Sequence, residues 1–232
     1  RRDGLRARSW SLHTRLTLWT TVALLVGGTV FLTAAEWNNP GTFGAVDGPA
    51  RVLSGFFHAV QPRTAGFNSV DLGALRPESL LAMDVLMFIG GGAGGTAGGI
   101  KVTTFAVLAA VMVAEVRGDT AVTVSRRRIP AAVQRQALTV SLTAVVVVVV
   151  PATYLLAVTP FTLDELLFEV VSALSTVGLS TGITAALPLS GQLLLVVLMF
   201  TGRLGPLTLA TALALRERQR LYAYPEEQPI IG

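Results

Sequence analysis

Charge is nearly absent from four long stretches of this chain, and their lengths indicate its class. Leu16–Ala35 holds 20 residues with no formal charge, bounded by Arg15 and Glu36. Gln136–Leu163 holds 28, Val170–Gly202 holds 33, and Val85–Ala114 holds 30 with only Lys101 as an interruption. A helix needs about 20 apolar residues to cross the hydrocarbon of a bilayer, where backbone groups find no water to bond. Thirty-three residues are too many for one simple span. The pattern recurs along the whole length, so it is not a cleaved N-terminal signal. These stretches describe an all-α polytopic membrane protein.

Self-comparison shows that the pattern is doubled. Shifted by 112 residues, 56–96 aligns with 168–208 without a gap and with 12 identities in 41 positions. Among them are Thr64/Thr176, Gly66/Gly178, the Met87-Phe88/Met199-Phe200 pair and Gly90/Gly202. A fixed period of this kind marks a repeated structural unit. Each copy reads as a long apolar helix, a short amphipathic segment, a Thr-x-Gly turn and a second long apolar helix. In the second copy Thr162-Leu163-Asp164-Glu165 forms a capping box, which opens a helix expected to end near Leu174. In the first, Pro49 after Gly48 starts a helix expected to end near Val60. Both helices are too short to span. A half-span helix followed by irregular backbone is tolerated at membrane depth only where it lines a watery cavity. The unit is therefore expected to be helix, re-entrant pore helix, filter and helix.

Composition agrees. Of the 232 residues, 52% are hydrophobic and 14% charged, against roughly 25% charged in soluble domains. Cysteine is absent and the histidines are two, His13 and His58, so thiolate sites and multi-histidine metal centres are excluded. The arginines give an orientation. Five lie at positions 1–15, five between Arg117 and Arg135, and three in the tail at Arg216, Arg218 and Arg220. These three segments are expected on the cytoplasmic side, so both termini should be cytoplasmic. Arg126–Arg128 reads as a solvated inside loop rather than a nucleic-acid patch. The expected organisation is a basic N-terminal segment at 1–15, a pore repeat at 16–116, a linker at 117–132, a second pore repeat at 133–215 and a tail at 216–232.

The two turns point to cation chemistry. A dehydrating cation needs oxygens at fixed positions, and extended backbone carbonyls provide them. Gly66 and Gly178 accept positive φ, which lets neighbouring carbonyls turn inward. The pore helices direct their negative C-terminal ends toward the same place. The expected filter residues are Thr64, Ala65, Gly66 and Phe67 in the first copy, and Thr176, Val177, Gly178 and Leu179 in the second. No nucleophile–base pair or metal triad is present, so no enzyme site is expected.

Several pieces together carry a family resemblance: Thr64-Ala-Gly-Phe-Asn-Ser-Val-Asp71, Met87-Phe-Ile-Gly-Gly, Thr96-Ala-Gly-Gly-Ile-Lys101, Ser175-Thr-Val-Gly-Leu-Ser-Thr-Gly182 and Gly202-Arg-Leu-Gly-Pro-Leu-Thr208. The chain resembles the Trk/Ktr/HKT superfamily of potassium transporters, and its tail Tyr224–Gly232 is similar to the ending of bacterial Ktr-type membrane subunits. The resemblance implies a potassium-channel-like transporter in the bacterial plasma (inner) membrane, with K+ bound at the filter. It also implies a cytoplasmic nucleotide-binding regulatory ring as partner and a homodimer of membrane subunits. Family members contain four such repeats, and this chain matches the third and fourth. The remaining two would come from a missing part of the gene or from a second copy.

Between Gly90 and Gly99 stand seven glycines: Gly90, Gly91, Gly92, Gly94, Gly95, Gly98 and Gly99. Gly90-x-Gly92-x-x-Gly95 formally matches a dinucleotide fingerprint, but no soluble βαβ succession surrounds it. Small-xxx-small helix packing is a second reading. The third is a broken helix whose loop obstructs the pore, and the resemblance supports it as an intramembrane gating loop that includes Thr96. Lys101 and Arg203 are the basic residues inside apolar stretches, where charge is expensive and usually faces a cavity. Arg203 is expected to pack near the break as an electrostatic latch, while Lys101 could snorkel to the interface. A repeat-built secondary transporter of a small solute is the alternative function. Among other residues, Asp71 is expected to attract cations or cap a helix, and Asn68 and Ser180 to brace the filters. Glu36 and Trp37 are expected at the outer interface, and Asp84 and Glu169 to be solvated or paired near helix ends.

Overall fold

The computed structural model describes residues 10–92 and 97–214, with side chains up to Leu204. The expected features at Gly94, Gly95, Thr96, the first nine residues and the tail 216–232 lie outside the described residues. Seven α-helices account for most of the rest.

Helix α1, Leu12–Glu36, opens where the Ser11 side chain accepts a hydrogen bond from the Thr14 amide at 3.2 Å. Its 25 residues would reach about 37 Å at 1.5 Å per residue, enough to cross a bilayer with some tilt. Helix α2, Gly48–Val60, carries Pro49 in its first turn, where the missing N–H has no intrahelical partner to lose. Helix α3, Pro77–Phe88, stops short, and α4, Val102–Arg117, resumes beyond the glycine-rich break. Helix α5, Ala131–Val158, runs 28 residues through Pro151. Helix α6, Leu163–Leu174, opens on the Thr162–Glu165 capping box, and α7 covers Leu189–Ala214.

The uncharged stretch 170–202 divides into the end of α6, an irregular segment and α7, which explains its excess length. The second long span runs over 131–158 rather than 136–163. Charged and polar residues can extend a helix past the hydrocarbon boundary, so uncharged length and helix length differ.

Between α4 and α5 the linker forms a small hairpin of β1, Thr123–Val124, and β2, Arg127–Arg128, antiparallel with Thr123 opposite Arg128. Ser125 and Arg126 both have positive φ, 51° and 64°, the signature of a tight hairpin turn whose twist matches the strands. Val122 and Ile129 anchor the hairpin against Val107 and Ala114 of α4 and Ala137 of α5.

Packing places α6 at the centre. It touches α3, α5 and α7, while α1 touches α2, α3 and α4. Every residue from Phe168 to Leu174 is buried. Large apolar side chains also stand on the outside: Trp19 is 69% exposed and Phe200 68%. Among the described residues two helices, α1 and α5, are long and apolar enough to cross a membrane, and only 17% and 22% of their most apolar stretches are buried. A core helix of a water-soluble protein would be mostly covered, so these surfaces call for lipid.

Glu36, at the end of α1, is turned into the protein. It is fully buried, and its carboxylate accepts from Asn39 Nδ2 and Thr42 Oγ1, both at 2.6 Å, from the Arg76 amide at 2.9 Å, and from Ser79 Oγ. The end of α1 is thereby tied to the start of α3. Trp37 instead stacks under the Arg51 guanidinium, 5.2 Å from ring centroid to Cζ. Asp84 lies well inside α3 rather than at a solvated end, and is 5% exposed.

Candidate functional site

Each short helix hands over to a loop with the same backbone signature. After α2, Thr64 has φ 67° and Gly66 φ 74°, and after α6, Thr176 has φ 51° and Gly178 φ 92°. Ala65 and Val177 between them stay on the negative side. In regular extended backbone successive carbonyls point to opposite sides. Alternating the sign of φ from residue to residue instead swings consecutive carbonyls toward one side. A threonine in the left-handed region costs about 1–2 kcal/mol, and such strain concentrates at functional sites. Two such threonines stand 112 residues apart. The same offset separates the 3-10 turns Leu72–Ala74 and Thr184–Ala186, and the starts of α3 and α7.

The loops face each other. A methyl group added at Gly66 would lie 2.3 Å from the Val177 carbonyl oxygen, and one at Gly178 would lie 3.9 Å from the Gly66 Cα. There is no room for a side chain at the first of these points. Phe67 turns outward, 68% exposed, whereas its counterpart Leu179 is buried at 3%.

Each loop is held by its own short helix, with different chemistry. In the first, the Gln61 carbonyl accepts from the Ala65 amide at 3.1 Å, and Gln61 Oε1 accepts from the Phe67 amide at 3.0 Å. In the second, the Ser172 carbonyl accepts from the Val177 amide at 2.9 Å, and Ser172 Oγ donates to the Leu179 carbonyl at 2.6 Å. Glu169, buried at 4% exposure, receives Ser180 Oγ at 2.5 Å, the Thr181 amide at 3.0 Å and Thr184 Oγ1 at 2.7 Å. Glu169, expected to be solvated or paired, is therefore buried and hydrogen-bonded behind the second loop. Asn68 donates to the Val70 carbonyl at 3.0 Å, and Asp71 accepts from the Gly73 amide at 2.9 Å, capping the turn that follows.

The break closes on itself beneath the second loop. Ile89 and Ile100 pair as a parallel bridge, with the Ile100 amide on Phe88 O at 3.0 Å and the Val102 amide on Gly91 O at 3.1 Å. Gly98 sits so close to Ser175 and Thr176 that an added methyl would lie 2.4 Å from Ser175 O and 2.8 Å from Thr176 Oγ1. A methyl added at Gly99 would lie 3.0 Å from Ser175 Oγ. Lys101 turns its ammonium back onto the Ala97 carbonyl, near enough to Arg203 to feel its charge. A cavity of about 450 Å³ is lined by Glu169, Ser172, Thr176–Gly178 and Arg203 together with apolar residues of α7. The sequence did not single out Gln61, Ser172 or Arg63. Polar residues within four positions before a Thr-x-Gly turn were the available signal.

Comparison with known proteins assigns the family. The TrkH family, described as cation transport protein, matches residues 10–223. The chain is 37% identical over 230 residues to Ktr system potassium uptake protein B of Bacillus subtilis, covering 98% of this chain and 51% of the relative. It is 40% identical over 225 residues to the protein of the same description from Vibrio alginolyticus, covering 95% of this chain and 48% of the relative. Potassium/sodium uptake protein NtpJ of Enterococcus hirae is 35% identical over 238 residues, with 98% and 51% covered. The chain thus spans about half the length of these curated relatives, which are transporters rather than enzymes. Their kinship and the two long lipid-compatible helices locate this chain in a membrane. It belongs to the TrkH family of cation transport proteins, as a membrane component of the Trk and Ktr type.

Proposed function

We propose that this chain forms two of the four pore repeats of a potassium uptake protein. The repeats correspond to 16–116 and 133–215, joined by the cytoplasmic linker 117–132. In this reading a hydrated K+ exchanges part of its water shell for main-chain oxygens of Thr64, Ala65 and Gly66 on one side and Thr176, Val177 and Gly178 on the other, with Phe67 and Leu179 closing each segment. The segments that complete the ring come from the other two repeats. The observation that carries the reading is the matched sign alternation of φ in two loops that meet at Gly66 and Val177. The short helices α2 and α6 end at these loops, so their partial negative charge favours a cation there.

The break at Gly90–Gly99 acts as the gate. Its described limb at Gly98 and Gly99 presses on the foot of the second filter, and Lys101 and Arg203 place positive charge beside it, opposing cation passage while the loop is closed. The protein is multi-pass in the bacterial plasma membrane with cytoplasmic termini, pairs as a homodimer, and is governed by a cytoplasmic nucleotide-binding ring. The test is ion uptake by the full-length protein carrying Gly66→Ser or Gly178→Ser. Both positions have positive φ, so a side chain distorts the filter, and loss of preference for K+ over Na+ is expected. Unaltered preference in both variants would contradict the filter and favour a solute transporter built on broken helices.

A further inference from the structure

We propose that Arg63 is a positioning residue that ties the foot of the first loop to the upstream limb of the glycine-rich break, so that loop and break shift together. The proposal rests on the reading of the loops as a filter and of the break as its gate.

Arg63 immediately precedes Thr64, the first left-handed residue of its loop. Its Nη1 donates to the Gly90 carbonyl at 3.0 Å, across 27 residues of chain. Gly90 is the second residue past α3, where the chain leaves helical geometry. Nε and Nη2 of the same guanidinium are buried and have no hydrogen-bond partner among the described residues. A guanidinium cannot shed its proton to relieve burial, so the Gly90 carbonyl is the acceptor that holds this charge among the described residues.

The two limbs of the break are stitched to one another through Ile89 and Ile100. The downstream limb meets Ser175 at Gly98 and Gly99. Ser175 occupies the position of Arg63 in the 112-residue repeat. Corresponding residues of the two units therefore grip opposite limbs of one loop, one by a charged hydrogen bond and the other by close contact. Withdrawing Gly90 removes the acceptor from a desolvated cation. A hydrogen bond to a charged group shifts an equilibrium by roughly 10- to 100-fold, so movement of the break is felt at the filter.

The experiment uses the full-length protein in proteoliposomes, with Ala97→Cys on the downstream limb as a reporter labelled by an aqueous maleimide. Arg63→Gln is expected to raise both the labelling rate and the basal Rb+ flux by about tenfold. Arg63→Lys keeps the charge and a donor but not the reach, and is expected to raise both by about threefold. A purely structural role would lower the yield of folded protein without moving these rates. Parental labelling and flux in folded Arg63→Gln would overturn the tie, and if that variant fails to insert, parental values in Arg63→Lys would do so. Gly66→Ser in the same background separates the two ideas. If it and Gly178→Ser both leave ion preference intact, the filter reading fails; if either alters preference while the Arg63 variants change nothing, only the tie fails.

Discussion

Replacement of Glu169 has a consequence that can be worked from the structure. The residue is 4% exposed and receives three good hydrogen bonds from the segment beyond the second loop, two from hydroxyls and one from the Thr181 amide. A hydrogen bond to an ionised acceptor is worth about 1.5–3 kcal/mol. Three on one group do not add independently, so removal of the carboxylate in Glu169→Ala is expected to cost about 3–4 kcal/mol. The Thr181 amide is then left half-buried without its partner. Glu169→Gln keeps the volume and one acceptor oxygen, and is expected to cost about 1–2 kcal/mol. Unfolding of the full-length protein in detergent measures the first quantity. Competition of Na+ with K+ uptake measures the effect on ion preference, because Ser180 follows Leu179 and its displacement should loosen the proposed filter. An alanine variant with parental stability and parental ion preference would refute the bracing role.

Other outcomes follow from the same geometry. Gly98→Ala adds a methyl 2.4 Å from Ser175 O, which should push the break off the second loop and raise basal flux; a rate equal to the parent's would sink this contact as a gate. Arg203→Ala should likewise raise basal flux, and unchanged flux with unchanged regulation removes the latch. Glu36→Gln should lower stability by about 1–2 kcal/mol, since its carboxylate joins α1 to α3, with ion preference unchanged. Thermal melts with uptake assays on the same sample check both parts.

Much of the architecture could be read from residues because it is encoded locally. The Thr162–Glu165 capping box and Pro49 mark helix starts by short-range bonding rules, and α6 and α2 begin where those rules put them. The glycine-rich break lacks the side-chain packing and the low backbone entropy cost that a helix needs, and α3 and α4 end and begin on either side of it. The hairpin at 123–128 escaped notice because its turn uses Ser125 and Arg126 at positive φ, where glycine or asparagine would have signalled it. Glu36, Glu169 and Arg63 are different. Their roles depend on partners between 3 and 43 residues away, most of them beyond a helix turn, so no local pattern shows that a charged residue at the edge of an apolar stretch will turn inward. Lone charges in those places satisfy the rules for an interface equally well.

The most direct measurement is the position of the ion itself. Crystals of the full-length protein soaked in Tl+, a K+ mimic with strong anomalous scattering, should show density between the Thr64–Gly66 and Thr176–Gly178 carbonyls, lost when Gly66 is replaced by serine. Density at the glycine-rich break instead, with none between the two loops, would contradict the account.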